Sequence, residues 1–161
     1  MAKVYLDTSF FSTCVSHRIG SRSAYWREVS KEWWRQQAPK HIVCISDEVI
    51  AELTRLEKRQ RDSAFSMLEG LNNLKIDDAV HDLADVFVRE RVMPGPATTG
   101  DAIHVSVAII HGMEYLLSWN VKHLANPRKR LHLKRVCLRL GLTPPEILTP
   151  DLLQETNDDT E

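Results

Sequence analysis

Cysteine is scarce. The 161 residues hold three, Cys14, Cys44 and Cys137, far apart and without a CxxC pair. An odd number of scattered thiols argues against a disulfide framework and against a thiolate zinc site. No HxH or Cys/His grouping supplies a zinc motif by another route. Long apolar runs are also missing. VAII at 107–110 is as long as any, too short for a membrane-spanning helix. The opening residues, MAKVYLDTSFF, lack a basic-then-apolar leader pattern. Charge of one sign is not in excess: 21 Lys and Arg stand against 22 Asp and Glu, for a net charge of -1. No global field therefore points to nucleic acid or membrane, and local charge has to be read instead. No internal repeat or low-complexity block interrupts the chain. A soluble cytoplasmic protein with no membrane contact is expected.

What is present suits one domain of ordinary size, with 43% hydrophobic and 27% charged residues. We assign residues 1–153 to that domain and 154–161 to a polar, acidic, disordered tail. Short apolar runs alternate with helical patterns. Val4-Tyr5-Leu6 reads as a first strand ending at Asp7. A helix over about 22–37 carries Trp26, Trp33 and Trp34. His41 to Ile45 forms a second strand, after which Ser46 or Asp47 caps a helix with Val49, Ile50, Leu53 and Leu56 on one face. Helices are expected near 60–71 and 79–92, with a short strand at 74–76 between them. MPGPATTG at 93–100 breaks the pattern. Asp101 then opens a strongly apolar helix that runs through His111 and closes at Gly112. Residues 115–119 read as a buried strand ending at Asn120. A basic helix over about 128–140 stops at Gly141, and 146–149 adds a last strand. Strands separated by helices imply a three-layer α/β/α sandwich around a mainly parallel sheet.

Sites in such sheets form beyond the carboxyl ends of the strands. Asp7 and Asn120 each follow an apolar strand directly. Glu52 and Asp101 lie near helix starts, which places them on the same edge. Each acid alone has an ordinary explanation. Asp7 can cap a helix, Glu52 can be a solvated edge residue, and Asp101 can serve a helix dipole. Together they differ, because three carboxylates on one rim repel and desolvate one another. Protonation or bound cations relieve that repulsion. Carboxylate oxygens and water suit Mg²⁺ or Mn²⁺. Such an ion can polarise a phosphoryl oxygen and lower the pKa of an attacking water, as phosphodiester hydrolysis requires.

Four segments carry a family resemblance: VYLDTS at the N-terminus, EVIAEL around Glu52, GDAIHVSVA around Asp101 and LLSWN ending at Asn120. In order and spacing they resemble the successive motifs of PIN domains, most of all the VapC-type toxin ribonucleases. The resemblance runs from Val4 to about Leu153. It implies a metal-dependent endoribonuclease with Asp7, Glu52 and Asp101 as metal-holding acids. Thr8 and Ser9 match the small hydroxyl positions after the first acid. Asn120 stands where the family often has Asp, and the stretch Trp119 to His123 resembles a Trp-Asn-x-x-His subgroup. The resemblance further implies 3′-hydroxyl and 5′-phosphate products, an antitoxin partner and the capacity to form a homodimer.

The loss of one charge at Asn120 predicts a single tightly held Mg²⁺ or Mn²⁺, with its amide oxygen still able to ligate. RNA contact is expected along the acid-free stretch from Tyr115 to Pro145, through Lys122, His123, Arg128, Lys129 and Arg130. Leu131, Leu133, Val136, Leu138 and Leu140 are expected to pack part of that segment inward. His104 is expected to be structural. Other readings fare worse. A haloacid-dehalogenase-like phosphatase would carry DxD where this chain has Asp7-Thr8-Ser9, and no GxGxxG follows the first strand to bind a dinucleotide. A non-catalytic RNA- or protein-binding module of the same fold is the alternative that Asn120 keeps open.

Overall fold

The computed structural model describes residues 1–154. Five strands form one sheet: β1 (Lys3–Leu6), β2 (Ile42–Ser46), β3 (Asn72–Leu74), β4 (Tyr115–Leu117) and β5 (Glu146–Leu148). Their spatial order is β3-β2-β1-β4-β5, and every pairing is parallel. The expected mainly parallel sheet is thus parallel throughout the described residues. Among the described residues seven α-helices flank it: α1 (Thr8–Cys14), α2 (Ser21–Gln36), α3 (Asp47–Leu53), α4 (Lys58–Leu68), α5 (Asp78–Arg89), α6 (Asp101–Ile110) and α7 (Pro127–Leu140). α5 packs on α6, while α1 packs on α2, α3 and α4. The architecture is the α/β/α sandwich.

Burial explains the layers. Val4, Tyr5 and Leu6 of the central strand are buried, as are Leu116 and Leu117 beside them. α6 is buried from Ala102 to Ile109, as its nearly unbroken apolar sequence requires. Trp33 of α2 meets Phe10 of α1 edge to face, and its indole N–H donates to the Leu153 carbonyl at 2.9 Å. That bond fastens the C-terminal end of the domain. The expected tail at 154–161 falls outside the described residues except for Gln154, which accepts a hydrogen bond from the Gln37 side chain. Among the described residues no helix is long and apolar enough to cross a membrane.

Several expectations need correction. α1 was not anticipated: it has seven residues, too few to show a helical period. The third strand lies at 72–74 rather than 74–76, because Asn72 and Asn73 pair with Cys44 and Ile45 on the exposed edge, where backbone pairing outweighs poor strand propensity. α7 turns only Leu133, Val136 and Cys137 inward. Leu131, Leu138 and Leu140 are exposed, since a helical period cannot bury all five of the named positions.

Topology then fixes where a site can form. Chain connections leave β1 toward β2 and β3 on one side, and β4 and β5 complete the other. The β1/β4 boundary is therefore the switch point, with a crevice at its carboxyl end.

Candidate active site

Asp7 follows β1 at that boundary. It caps α1, accepting from the Phe10 N–H, and is 3% exposed. Its Oδ1 accepts from Ser9 Oγ and its Oδ2 from Ser118 Oγ, both at 2.5 Å. Burial pushes the Asp7 carboxyl above the usual carboxylate range, although the His104 charge and the two serine hydroxyls oppose this. Asp101 opens α6 behind Gly100, whose φ of 73° and ψ of -146° suit glycine and few other residues. Burial raises the Asp101 carboxyl too, and the neighbouring Asp7 charge raises it further. Its Oδ2 accepts from Asn120 Nδ2 at 2.8 Å. Asn120 Oδ1 in turn accepts from the His123 backbone N–H.

Glu52 is in the last turn of the short α3, not near its start. Its Oε1 accepts from Thr8 Oγ1 at 2.8 Å and from His104 Nε2 in a very short contact. Burial would raise the Glu52 carboxyl, but the His104 hydrogen bond and charge, with the Thr8 hydroxyl, hold it below its ordinary value. Burial alone would lower the His104 imidazole. The Glu52 hydrogen bond and the charges of Asp7, Glu52 and Asp101 outweigh that and raise it. Both shifts favour a carboxylate–imidazolium pair. Protonated at both ring nitrogens, His104 would donate from Nδ1 to Tyr5 Oη, 2.7 Å away, leaving the Tyr5 hydroxyl to donate to Ser46 Oγ at 2.8 Å.

The rim thus unites Asp7, Thr8, Ser9, Glu52, Asp101 and Asn120, from four separate stretches of chain. Three further residues shape it. Ser118 bridges Asp7 and the Asn120 backbone N–H at 2.9 Å. Glu48, buried, accepts from Gly100 N at 2.9 Å and ties the 93–100 loop to α3. His104, expected to be structural, also touches Glu52. Ser118 lay inside the LLSWN segment and was legible there. Glu48 had no sequence signal, because its partner is a backbone N–H 52 residues away.

The predicted RNA contacts are more scattered. Lys122 and Arg128 are exposed and Lys129 is half-buried. Arg130 instead donates to the Ile147 carbonyl at 3.2 Å, which gives it a structural duty on β5. His123 stands close enough to Asp101 for its charge to be felt there.

Whether these residues suit a divalent ion can be asked of the donor set. Among the described residues no three His, Cys, Asp or Glu side chains form a ready-made ligand cluster. Mg²⁺ does not need one, since it keeps several waters and uses one or two carboxylates. Asp7 and Asp101 meet that requirement: burial destabilises both as anions, and the charge of Asp7 adds to the effect at Asp101. Asn120 presents its amide nitrogen to Asp101 and its oxygen to the His123 N–H, so it positions Asp101 rather than adding an oxygen donor. Glu52 is partly neutralised by His104, so it fits an outer position better.

Among the described residues the sheet is parallel, and it carries acids and an amide at its switch point, the edge at which α/β sheets of this kind take their ligands. The PIN domain family model matches residues 4–123, and the chain belongs to that family. No curated relative matches the sequence. Three solved structures share the fold. VapC20 of Mycobacterium tuberculosis, described as a sarcin–ricin loop cleaving toxin, is 18% identical with a TM-score of 0.56, covering 74% of this chain and 92% of that one. FitAcB of Neisseria gonorrhoeae is 12% identical at a TM-score of 0.55, covering 93% and 99%. VapBC2 of Rickettsia felis, bound to a DNA fragment from its promoter, is 17% identical at 0.53, covering 74% and 89%.

Proposed function

We propose that this protein is an Mg²⁺- or Mn²⁺-dependent endoribonuclease and the toxin of a type II toxin–antitoxin pair. One observation carries the reading: Asp7 and Asp101 share a buried switch point, each raised by burial, with Glu52 and Asn120 alongside. Structural similarity to VapC20, a toxin that cleaves the sarcin–ricin loop, supports an RNA substrate. Similarity to VapBC2 supports an antitoxin partner.

Asp7 and Asp101 would hold the ion, with Glu52 outside them. A divalent ion held there would offset negative charge on the phosphoryl oxygens and lower the pKa of water. Ser9 and Ser118 fix the Asp7 carboxylate. Asn120 orients Asp101. The Glu52 carboxylate, held by Thr8 and His104, would accept a proton from water attacking the phosphorus. Hydrolysis in that sense leaves 3′-hydroxyl and 5′-phosphate ends.

Purified, partner-free protein should cut mixed cellular RNA with Mg²⁺ or Mn²⁺ and stop in EDTA. Absence of cutting by folded protein would favour a non-catalytic binding module, the reading that Asn120 suggests by donating its amide where the family often has a fourth acid. Electron paramagnetic resonance titration should find one strong Mn²⁺ site per chain. Two equivalent strong sites would refute the single-ion arrangement. Lys122, Arg128 and Lys129 are proposed to attract the phosphate chain. Changing all three to Ala should weaken RNA binding and flatten its salt dependence by a slope of about 2. An unchanged slope would remove them from the RNA path.

A further inference from the structure

A cleft of about 760 Å³ opens beside the acid rim. It reaches the rim through Ser9 and Asn120, and its far wall is the start of α2 with the loop before it. The volume falls within the range of about 300–1,000 Å³ that ligand clefts span. Its chemistry differs from that of the rim. Arg18, Arg22 and His17 line it, together with several Ser and Thr hydroxyls, and no Asp or Glu does. Negative charge at the rim gives way to positive charge within one cleft.

The cleft also holds an aromatic platform. Trp26 and Trp119 stack with ring centroids 4.6 Å apart and planes 15° from parallel. The exposed Arg22 guanidinium lies 4.5 Å from the Trp26 ring centroid. The platform is fixed in position. Trp119 Nε1 donates to the buried Ser30 Oγ at 2.7 Å, and Ser30 Oγ donates to the Trp26 carbonyl. Trp119 N donates to Ser9 Oγ at 2.9 Å, and Ser9 donates to Asp7. These hydrogen bonds tie α2 to the first acid through one tryptophan. The loop carrying Arg18 is pinned as well, because Arg27 donates to the Ser16 and Arg18 carbonyls at 3.1 Å each.

We propose that this cleft is the subsite for the nucleotide next to the scissile phosphate of a single-stranded RNA, with its base stacked on Trp26 and its phosphates held by Arg18 and Arg22. The proposal rests on the ribonuclease reading and names the part of the site that would grip the substrate. A π-face accepts any base, so the subsite imposes strandedness rather than sequence. Arg22 is exposed and lies over the Trp26 face, so a base stacking there would displace its guanidinium toward the phosphate. The fixed tie from Trp119 to Asp7 sets the register between stacked base and cut bond.

The test measures binding of a fluorescein-labelled single-stranded RNA to Asp7→Asn protein, and cleavage of the same RNA by otherwise wild-type protein. Trp26→Leu keeps apolar packing against Trp119 but removes the stacking face; it should weaken binding about ten-fold, with KM rising more than kcat falls. Trp26→Phe should restore binding to within about three-fold. Arg18→Ala with Arg22→Ala should reduce the salt slope by about 1.4, two phosphate contacts at single-strand density. Affinity of the Trp26 variants for a blunt duplex should match that of wild type. If cleavage persists while all these variants bind and cut as wild type does, the subsite is elsewhere and the ribonuclease reading stands. If the variants lose only capture of a partner protein and keep RNA affinity, the cleft is a protein surface and the proposal falls. If wild type neither binds nor cuts RNA, the ribonuclease reading falls and takes the subsite with it.

Discussion

Asp7→Asn is expected to slow metal-dependent RNA cleavage by about 10³-fold or more, the equivalent of losing several kcal/mol of transition-state stabilisation at an ion site. The change is isosteric, and the fold should tolerate it. The substituted amide can still accept from Ser9 and can donate to Ser118 Oγ, the two groups that hold the carboxylate now. Stability should move the other way. The buried Asp7 carboxyl is raised, so the fold favours its protonated form. An unfolded Asp ionises near pH 3.9, and from about pH 4 upward the wild-type fold loses stability relative to a neutral side chain there. In EDTA the variant should therefore melt higher than wild type at neutral pH, and the gap should widen as pH rises from about 4. Mn²⁺ should raise the wild-type Tm and have a smaller effect on the variant. Loss of activity together with gain of metal-free stability is the signature of a functional acid. A variant that cuts at the wild-type rate would remove Asp7 from the site. One that melts lower in EDTA at neutral pH would show that Ser9, Ser118 and His104 already satisfy the carboxylate without an ion.

Asp7, Asp101 and Asn120 could be singled out in the sequence because each sits at the end of a strong local signal, whereas Glu52, in the last turn of a seven-residue helix, does not. Asp7 closes VYL, Asp101 opens the most apolar helix of the chain, and Asn120 follows YLLSW. Period and burial made those elements legible, and topology did the rest, since a parallel sheet brings strand ends to one edge. What escaped was whatever depends on side chains meeting across long separations. The Glu48 bond to Gly100 N is one case. The Tyr5, His104 and Glu52 chain is another: Tyr5 reads as a strand former and His104 as a polar interruption of an apolar helix. The Trp26–Trp119 stack joins two residues far apart in the chain, and neither had a periodic reason to be singled out for the other. Arg130 shows the same limit: its place in a basic run suggested RNA contact, and nothing in the sequence foretold its hydrogen bond to a β5 carbonyl.

His104→Ala is expected to cost about 3 kcal/mol, near the low end for breaking a largely buried charge pair. For a chain of this length that is a fall in Tm of about 6–12 °C. Three losses act together. His104 is 2% exposed, so truncation leaves a cavity between α6 and β1. The Glu52 carboxylate loses the cation that holds it below its ordinary range. The Tyr5 hydroxyl, wholly buried, keeps only Ser46 as a partner. His104→Gln fills most of the space and can still donate to Glu52, so it should recover about half of the loss. A purely apolar role for His104 would reverse that order, with His104→Leu melting above His104→Gln. The two chemistries diverge further with metal. If the imidazolium is the resident counter-ion of the acid cluster, its removal leaves three carboxylates with a greater need for a cation. His104→Ala should then gain more Tm from Mn²⁺ than wild type does, even as its metal-free fold weakens. Equal Mn²⁺ shifts in the two proteins would mean that Glu52 and His104 form a closed pair that does not share its charge with Asp7 and Asp101.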